Sequence, residues 1–216
     1  MTQHTPFFEA QNRGGLAVVG LILVAGIVIL TLGEEARLLL RYDRQGIQAG
    51  EFWRLATAHL AHLGTSHGVM NLLALTVLAG LFGDLLTARG WLLGSAASAL
   101  AIDMGLWWFE PQVRWYVGLS GVLHGLIVLG AVAMWLNDEP MGLGLLLGVV
   151  AKLSWEQSIG PLPFTAAAAG GPVLVAAHLY GAGAGLLVAL PGILRAKWPL
   201  ARGEAGRANQ QHNNEE

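Results

Sequence analysis

Apolar runs about as long as a lipid bilayer is thick dominate this sequence. The first covers residues 15–33, and five more follow, separated by short polar breaks or by breaks containing proline or glycine: 68–87, 91–109, 117–136, 141–155 and 173–194. A helix needs about 20 apolar residues to cross the hydrocarbon core, where it satisfies its own backbone hydrogen bonds. The sequence therefore predicts an all-α polytopic membrane protein with six transmembrane helices.

Composition supports the lipid bilayer as the main solvent. Of 216 residues, 54% are apolar and only 12% are charged, whereas soluble domains carry about 25% charged residues. The net charge of −2 gives no electrostatic reason to expect nucleic acid as a partner. Because cysteine is absent, thiolate metal sites and a cysteine nucleophile are excluded. Any chemistry must come from His, Ser, Asp and Glu.

Two segments do not resemble membrane spans. Residues 34–66 mix charged residues with the leucines at 38–40, which favours an amphipathic helical first loop in the membrane interface. Residues 156–172 contain several prolines and glycines and are predicted to form a loop before the sixth helix. The predicted organisation is therefore simple: a cytoplasmic N-terminal segment at 1–14, a membrane domain at 15–195, and a polar, disordered tail at 196–216.

Orientation is predicted from Lys and Arg, which favour the cytoplasmic side. With six spans both termini share one side, and the cations divide equally between the two sides. Four of those on the opposite side lie in the first loop and are discounted, so the termini are expected in the cytoplasm. The expected location is the bacterial inner membrane.

Polar residues inside a membrane are costly and are functional candidates by default. His67 and Asn71 begin the second run, Ser120 begins the fourth, and His178 lies in the first turns of the sixth. Consecutive spans alternate in direction, so these three runs all enter from the same side. The four residues are therefore expected at similar depth on the non-cytoplasmic side.

The local spacing of these residues indicates a single reacting centre. His67 and Asn71 are four residues apart, so both project from one helix face. Ser120 is flanked by Gly118 and Gly121, which allow a tight turn and leave backbone N–H groups open at a helix start. The same physical logic underlies a nucleophile elbow.

Small residues predict how the fourth and sixth helices meet. Gly121 and Gly125 form one small face, and Ala177, Gly181 and Gly185 form another. Close approach of these faces would bring His178 within reach of Ser120.

Four motifs, in order over about residues 50–190, resemble those of the rhomboid intramembrane serine proteases. They are Phe52-Trp53-Arg54, His62 followed by His67 and Asn71, Gly118-Leu119-Ser120-Gly121, and the His178 motif that includes Gly181 and Gly185. The resemblance implies a rhomboid-like fold and an endopeptidase whose substrates are single-pass transmembrane proteins. It implies no metal and no cofactor.

The resemblance also implies residue roles. Ser120 is the nucleophile and His178 the base of a pair without a third acid. The oxyanion hole draws on His67, Asn71 and the backbone N–H of Ser120. The fifth helix and its loop are a mobile substrate gate, and the site opens to the periplasmic side.

One position departs from the common family pattern. The residue four after the serine, often Tyr in the family, is His124 here. With the compact chain, this feature resembles the rhombosortase branch, which implies processing of C-terminal sorting signals on bacterial surface proteins. His124 is expected to pack against His178.

Two alternatives remain at this point. One is a haem- or metal-binding membrane protein that uses the histidines His59, His62, His67, His124 and His178, since imidazole suits iron, copper and zinc. The other is an inactive rhomboid-like binder. A metal site does not require the Gly-x-Ser-Gly motif, which favours the protease. His59 and His62, with Trp53 and Arg54, are expected mainly to support the first loop.

Overall fold

A computed structural model describes residues 6–163 and 165–213, with side chains for 13–163 and 165–194. Within these ranges the chain forms ten helices and two short strands. In chain order they are α1 Pro6–Thr31, α2 Gly33–Leu40, β1 Tyr42–Asp43, α3 Arg44–Gln48, α4 Arg54–Thr57, α5 Thr65–Phe82, α6 Ala88–Phe109, β2 Trp115–Tyr116, α7 Ser120–Leu136, α8 Pro140–Ser158, α9 Thr165–Ala169 and α10 Val175–Asn213.

The fold is mostly helical, and four helices are long and apolar enough to cross a membrane. They cover Arg13–Thr31, Thr65–Phe82, Ala88–Phe109 and Val175–Leu194. Helix α7 is also apolar but shorter, at 17 residues. Each of the six apolar runs falls on one of the long helices α1, α5, α6, α7, α8 and α10. The count of six crossings stays a prediction.

Helix α7 lies at the centre of the bundle. It packs against α5, α6, α8 and α10, and most of its side chains from Gly121 to Met134 are buried. A helix that is apolar on all sides is stable when other helices surround it. Ser120, its first residue, therefore sits at one end of the bundle core.

Glycines bring the backbones of α7 and α10 into direct contact. A Cβ atom added at Gly181 would overlap the carbonyl oxygen of Gly121, and one at Gly185 would overlap that of Gly125. Without side chains at these positions, two helices can approach more closely than larger residues allow. The small faces noted in the sequence are those that meet here.

The first loop contains three short helices, α2 to α4, and one strand that the sequence analysis did not foresee. Strand β1 pairs antiparallel with β2, placing Tyr42 opposite Tyr116 and Asp43 opposite Trp115. Because β2 lies just before α7, this pairing ties the first loop to the segment that leads into Ser120.

The boundary of the fifth long helix differs from the prediction. Helix α8 continues through Ser158, so Glu156 is helical and the connecting segment starts only at Ile159. That segment also contains the short helix α9. The polar residues after Trp155 predict a helix end, but Glu156 is buried and paired with Lys152 one turn earlier. Such an i,i+4 pair is compatible with a continuous helix.

The terminal segments predicted from composition overlap two helices, because α1 begins at Pro6 and α10 continues through Asn213. Residues 1–5 and 214–216 lie outside the described residues, as do the side chains of 1–12 and 195–216. The assignments of 1–14 and 196–216 stay predictions.

Candidate active site

Ser120 begins helix α7 directly after a tight turn. Gly118 has φ +132°, a left-handed conformation that favours glycine. Its N–H donates to the carbonyl of Ala58 at 3.0 Å, and its own carbonyl accepts from the Tyr116 hydroxyl at 2.8 Å. The first loop and β2 thus hold the turn from both sides. The N–H groups in the first turn of α7 have no hydrogen-bond acceptor within the helix itself.

His178, in the first turn of α10, has a partner at each ring nitrogen. Nε2 lies 3.0 Å from Ser120 Oγ, and Nδ1 lies 2.8 Å from Glu156 Oε2. His178 is buried, with 5% of the residue exposed. The structure therefore brings together the two residues that the sequence analysis named as nucleophile and base.

His124 stacks on His178. The ring centroids are 4.2 Å apart with an interplanar angle of 17°. His124 Nδ1 lies 2.7 Å from the backbone carbonyl of Ser120, and because a carbonyl only accepts, Nδ1 is the donor. His124 thus covers one face of the His178 ring, and its hydrogen bond to the carbonyl of Ser120 holds it in this position.

Glu156 is the site residue that the sequence analysis missed. Its side chain is 1% exposed, and Oε1 lies 2.6 Å from Lys152 Nζ while Oε2 faces His178. A signal was available: two ionisable residues one turn apart near an apolar helix are functional candidates. Because the predicted helix ends at Trp155, Glu156 falls in the predicted loop.

His67 lies beside the turn that precedes Ser120. The N–H of Leu63 points at His67 Nδ1 at 3.4 Å, so Nδ1 accepts and the neutral ring carries its proton on Nε2. The ring packs against Gly118, where an added Cβ would lie 3.4 Å from Nε2. His67 therefore presents a donor toward the turn.

Asn71 is buried one turn further along α5. Within the described part of the chain, its Nδ2 has no hydrogen-bond partner. An unpaired buried amide is costly, which makes it a candidate donor for a group that arrives with a substrate.

A cavity of about 410 Å³ opens beside Ser120. His67 and Ser120 form part of its wall, β2 forms another part, and Pro172 and Leu174 from the segment before α10 complete it. Asn71 is not among the described residues that line this cavity. A hydroxyl paired with an imidazole thus faces a space that can admit part of a polypeptide.

Comparison with known families agrees with this geometry. The Rhomboid domain family matches residues 49–195, more than half of the chain. The chain belongs to the rhomboid family. It is also 30% identical, over 97 residues, to a protein of Bacillus subtilis (strain 168) named "Putative rhomboid protease YdcA"; the match covers 45% of this chain and 49% of that protein. The matched region thus spans about half the length of this curated relative.

Family membership has direct consequences for the class of protein. With its apolar helices, a rhomboid domain makes the chain an integral membrane protein.

Arg54 and Trp53 of this rhomboid hold the first loop together. Arg54 is buried and donates through Nη1 to the carbonyls of Leu38 at 2.9 Å and Arg41 at 3.0 Å. Trp53 Nε1 donates to the carbonyl of Leu39 at 3.3 Å. Neither residue lines the cavity beside Ser120 in the described structure.

The remaining histidines lie in pairs around the site. The ring edge of His62 meets the His67 ring, with centroids 5.2 Å apart. Burial, followed by the nearby His67, lowers the pKa of His62 to about 4, so His62 is neutral at pH 7. His59 Nε2 lies 3.4 Å from Asp103 Oδ1. The His59 ring also meets Tyr116, a residue of the cavity wall, with ring centroids 5.8 Å apart, so both histidines contact residues that line the cavity.

One group could hold a cation. Ligand atoms of His124, Glu156 and His178 lie within 4.8 Å of one another. Both nitrogens of His178 already face partners, Ser120 and Glu156. Of the five histidines considered in the metal hypothesis, only His124 and His178 belong to this group in the described part of the chain, and His59 pairs with Asp103 instead.

Proposed function

We propose that this rhomboid is an intramembrane serine endopeptidase in which Ser120 is the nucleophile and His178 the general base. The observation that carries this proposal is the 3.0 Å contact between Ser120 Oγ and His178 Nε2 beside a cavity of about 410 Å³. A nucleophile and base within hydrogen-bonding reach are the diagnostic arrangement for covalent catalysis.

In each half of the reaction, His178 Nε2 accepts one proton from the attacking oxygen and then gives a proton to the leaving group. Ser120 Oγ attacks the carbonyl carbon of the scissile peptide while its proton passes to His178 Nε2. As the C–N bond breaks, His178 returns the proton to the leaving amine. Water then attacks the acyl ester, gives a proton to the same nitrogen, and releases Ser120 when the ester bond breaks and the proton returns to Oγ.

The oxyanion is stabilised by three donors in this proposal. They are His67 Nε2–H, Asn71 Nδ2–H and the backbone N–H of Ser120. One such donor typically stabilises the transition state by about 3 kcal/mol. The unpaired Nδ2 of Asn71 and the acceptor role of His67 Nδ1 support these assignments.

The substrates we propose are single-pass transmembrane proteins. Such a helix must unwind locally before attack, because intact helices engage their carbonyls in hydrogen bonds. Helix α8 and the segment that follows it are the proposed entry gate. With His124 in place of the common Tyr, we favour rhombosortase-like processing of C-terminal sorting signals.

The proposed topology has six crossings and both termini in the cytoplasm of a bacterial inner membrane. The site then opens to the periplasmic side. A cleavage site in the outer half of the substrate helix follows from this arrangement.

A fluorophosphonate probe on purified protein in detergent tests the proposal. Wild type should be labelled, whereas Ser120→Ala should not. Ser154→Ala, which removes an exposed serine on α8, is the matched control and should be labelled like wild type. Labelling of Ser120→Ala at the wild-type rate would contradict the assignment of the nucleophile.

The same preparation tests the metal alternative. We expect labelling to persist after treatment with a chelator. An unlabelled wild type that copurifies with stoichiometric metal or haem would overturn the protease proposal.

A further inference from the structure

The buried carboxylate of Glu156 has no role in the Ser–His pair described above, yet it lies directly against the base. We propose that Glu156 is a positioning residue that completes a Ser120–His178–Glu156 triad, with Lys152 as its resting counter-ion. This inference rests on the proposed function, because it adds a third residue to the same reaction.

The position of the proton on the neutral imidazole ring of His178 supports this role. To take the proton of Ser120, Nε2 must be unprotonated, so in the neutral ring the proton sits on Nδ1. That N–H needs an acceptor, and Glu156 Oε2 lies 2.8 Å away. Lys152 Nζ, at 3.4 Å from Nδ1, carries only donors and cannot serve. Glu156 therefore selects the tautomer that the reaction requires.

The positive charge that His178 acquires during the reaction gives a second reason to assign this role to Glu156. When His178 accepts the proton it becomes a cation that is almost fully buried. A carboxylate within hydrogen-bonding distance stabilises that cation and disfavours its loss before the leaving amine is protonated. Between turnovers, Lys152 satisfies the other oxygen at 2.6 Å. The carboxylate thus has a partner in both states.

A purely structural Lys–Glu pair would not need this placement. The Lys152 side chain is 28% exposed, whereas the Glu156 side chain is 1% exposed and has one oxygen on each partner. Burying a carboxylate is costly unless its hydrogen bonds are satisfied. Here the second oxygen is satisfied by the ring that also meets Ser120.

The charged and titratable groups that act on His178 come from three neighbouring helices. They are His124 from α7, Lys152 and Glu156 from α8, and His67 from α5. A test must therefore separate Glu156 from Lys152, which carry opposite charges on the same helix.

The experiment measures kcat, KM and their pH dependence on a transmembrane reporter, together with the rate of fluorophosphonate labelling. Glu156→Gln keeps the size and an acceptor oxygen but removes the charge. We expect kcat to fall about 10²- to 10⁴-fold with little change in KM, as for the orienting acid of other serine proteases. Glu156→Asp should recover part of the loss. Glu139→Gln, an exposed acid before α8, is the matched control and should behave like wild type.

The pH–rate profile and the comparison with Lys152→Met provide the sharpest readout. Without the carboxylate, the imidazolium formed during the reaction loses its partner, so the pH–rate profile of Glu156→Gln should change shape, whereas that of Glu139→Gln should match wild type. Lys152→Met leaves the carboxylate beside Nδ1 and should lower kcat less than Glu156→Gln does. A purely structural Lys–Glu pair predicts that both variants lose kcat alike.

Two outcomes separate this inference from the proposed function. If Ser120→Ala is inactive while Glu156→Gln keeps the wild-type kcat and pH–rate profile, the triad is overturned and the serine protease stands. If labelling does not depend on Ser120, both fall. Should Glu156→Gln fail to fold, Glu156→Asp decides: its shorter side chain moves the carboxylate away from Nδ1 and should lower kcat, and a wild-type kcat overturns the triad.

Discussion

Helices α10 and α8 each supply a group to the same site, but they are held in different ways. Helix α10 meets α7 through backbone contacts at Gly181 and Gly185. Helix α8 is buried only at Gly142, Val149 and Glu156, which are seven residues apart and form one narrow stripe. Its other faces expose large apolar side chains.

This difference means that the site combines a rigid part, the contact between α7 and α10, with a less constrained part, helix α8. Contact between backbones leaves no side chain to adjust, so the spacing of Ser120 and His178 is fixed by the fold. A single stripe anchors α8 through fewer groups, which suits the proposed gate. Glu156 ends that stripe, and motion of α8 would therefore alter the contact with His178.

The largest effect is expected from the two groups held by the rigid interface. Ser120→Ala and His178→Ala should each lower turnover by several orders of magnitude, since loss of the nucleophile or base normally does. Both variants should keep the fold, which thermal unfolding in detergent will check. Cleavage of a transmembrane reporter is the measurement, and residual activity above about one per cent in Ser120→Ala would refute the assignment.

The contact between α7 and α10 should tolerate no added atoms. In Gly181→Ala the new methyl overlaps the carbonyl of Gly121, so we expect a loss of about 1–3 kcal/mol in unfolding free energy and a large loss of turnover. Gly183→Ala, on the same helix with open space around it, is the control and should be neutral. Unfolding in detergent mixtures measures both. Equal stability of the two variants would argue against close backbone packing.

The same substitution on the less anchored helix sharpens the comparison. Gly148 of α8 is exposed and has open space at its Cβ position. Gly148→Ala should therefore keep wild-type stability and most of the turnover. A loss as large as that of Gly181→Ala would mean that α8 is as tightly constrained as α10.

A smaller effect is expected from the oxyanion donors of α5. Asn71→Ala should lower turnover about ten- to a thousandfold while fluorophosphonate labelling continues, because one transition-state donor is lost and the nucleophile is kept. Initial rates of reporter cleavage and of labelling distinguish the two steps. Wild-type turnover would assign Asn71 a structural role only.

Among the site residues, the smallest effect is expected at His124, which stacks on His178. If stacking is its main role, His124→Tyr should retain much of the activity and His124→Ala should lose more. If it transfers protons instead, both variants should fail alike and the pH–rate profile should change shape. An inactive, folded His124→Tyr that labels poorly would overturn the packing role.

Several features of this protein could be predicted from local sequence patterns. The apolar runs predicted where the long helices lie, because length and hydropathy alone determine which segments suit a bilayer. The glycines around Ser120 predicted a tight turn, and the spacing of small residues predicted which helix faces meet. Roles for Ser120 and His178 came from motif order and stay proposals.

Other parts depended on contacts between distant residues. The pairing of β1 with β2 involves only two residues on each strand, which is too short for a periodic signal. The polar sequence after Trp155 favoured a loop, whereas burial of Glu156 between Lys152 and His178 makes it helical. At Glu156, a tertiary contact therefore outweighs the local preference for a loop.

The sequence by itself determined a helical membrane protein with a serine, a histidine and small residues placed so that two helices could meet. Only the tertiary structure decided that Glu156 faces His178 and that His124 covers its ring. The physical reason is that helix periodicity specifies which residues share a face of one helix, while the rotation and depth of each helix depend on the packing of all its neighbours.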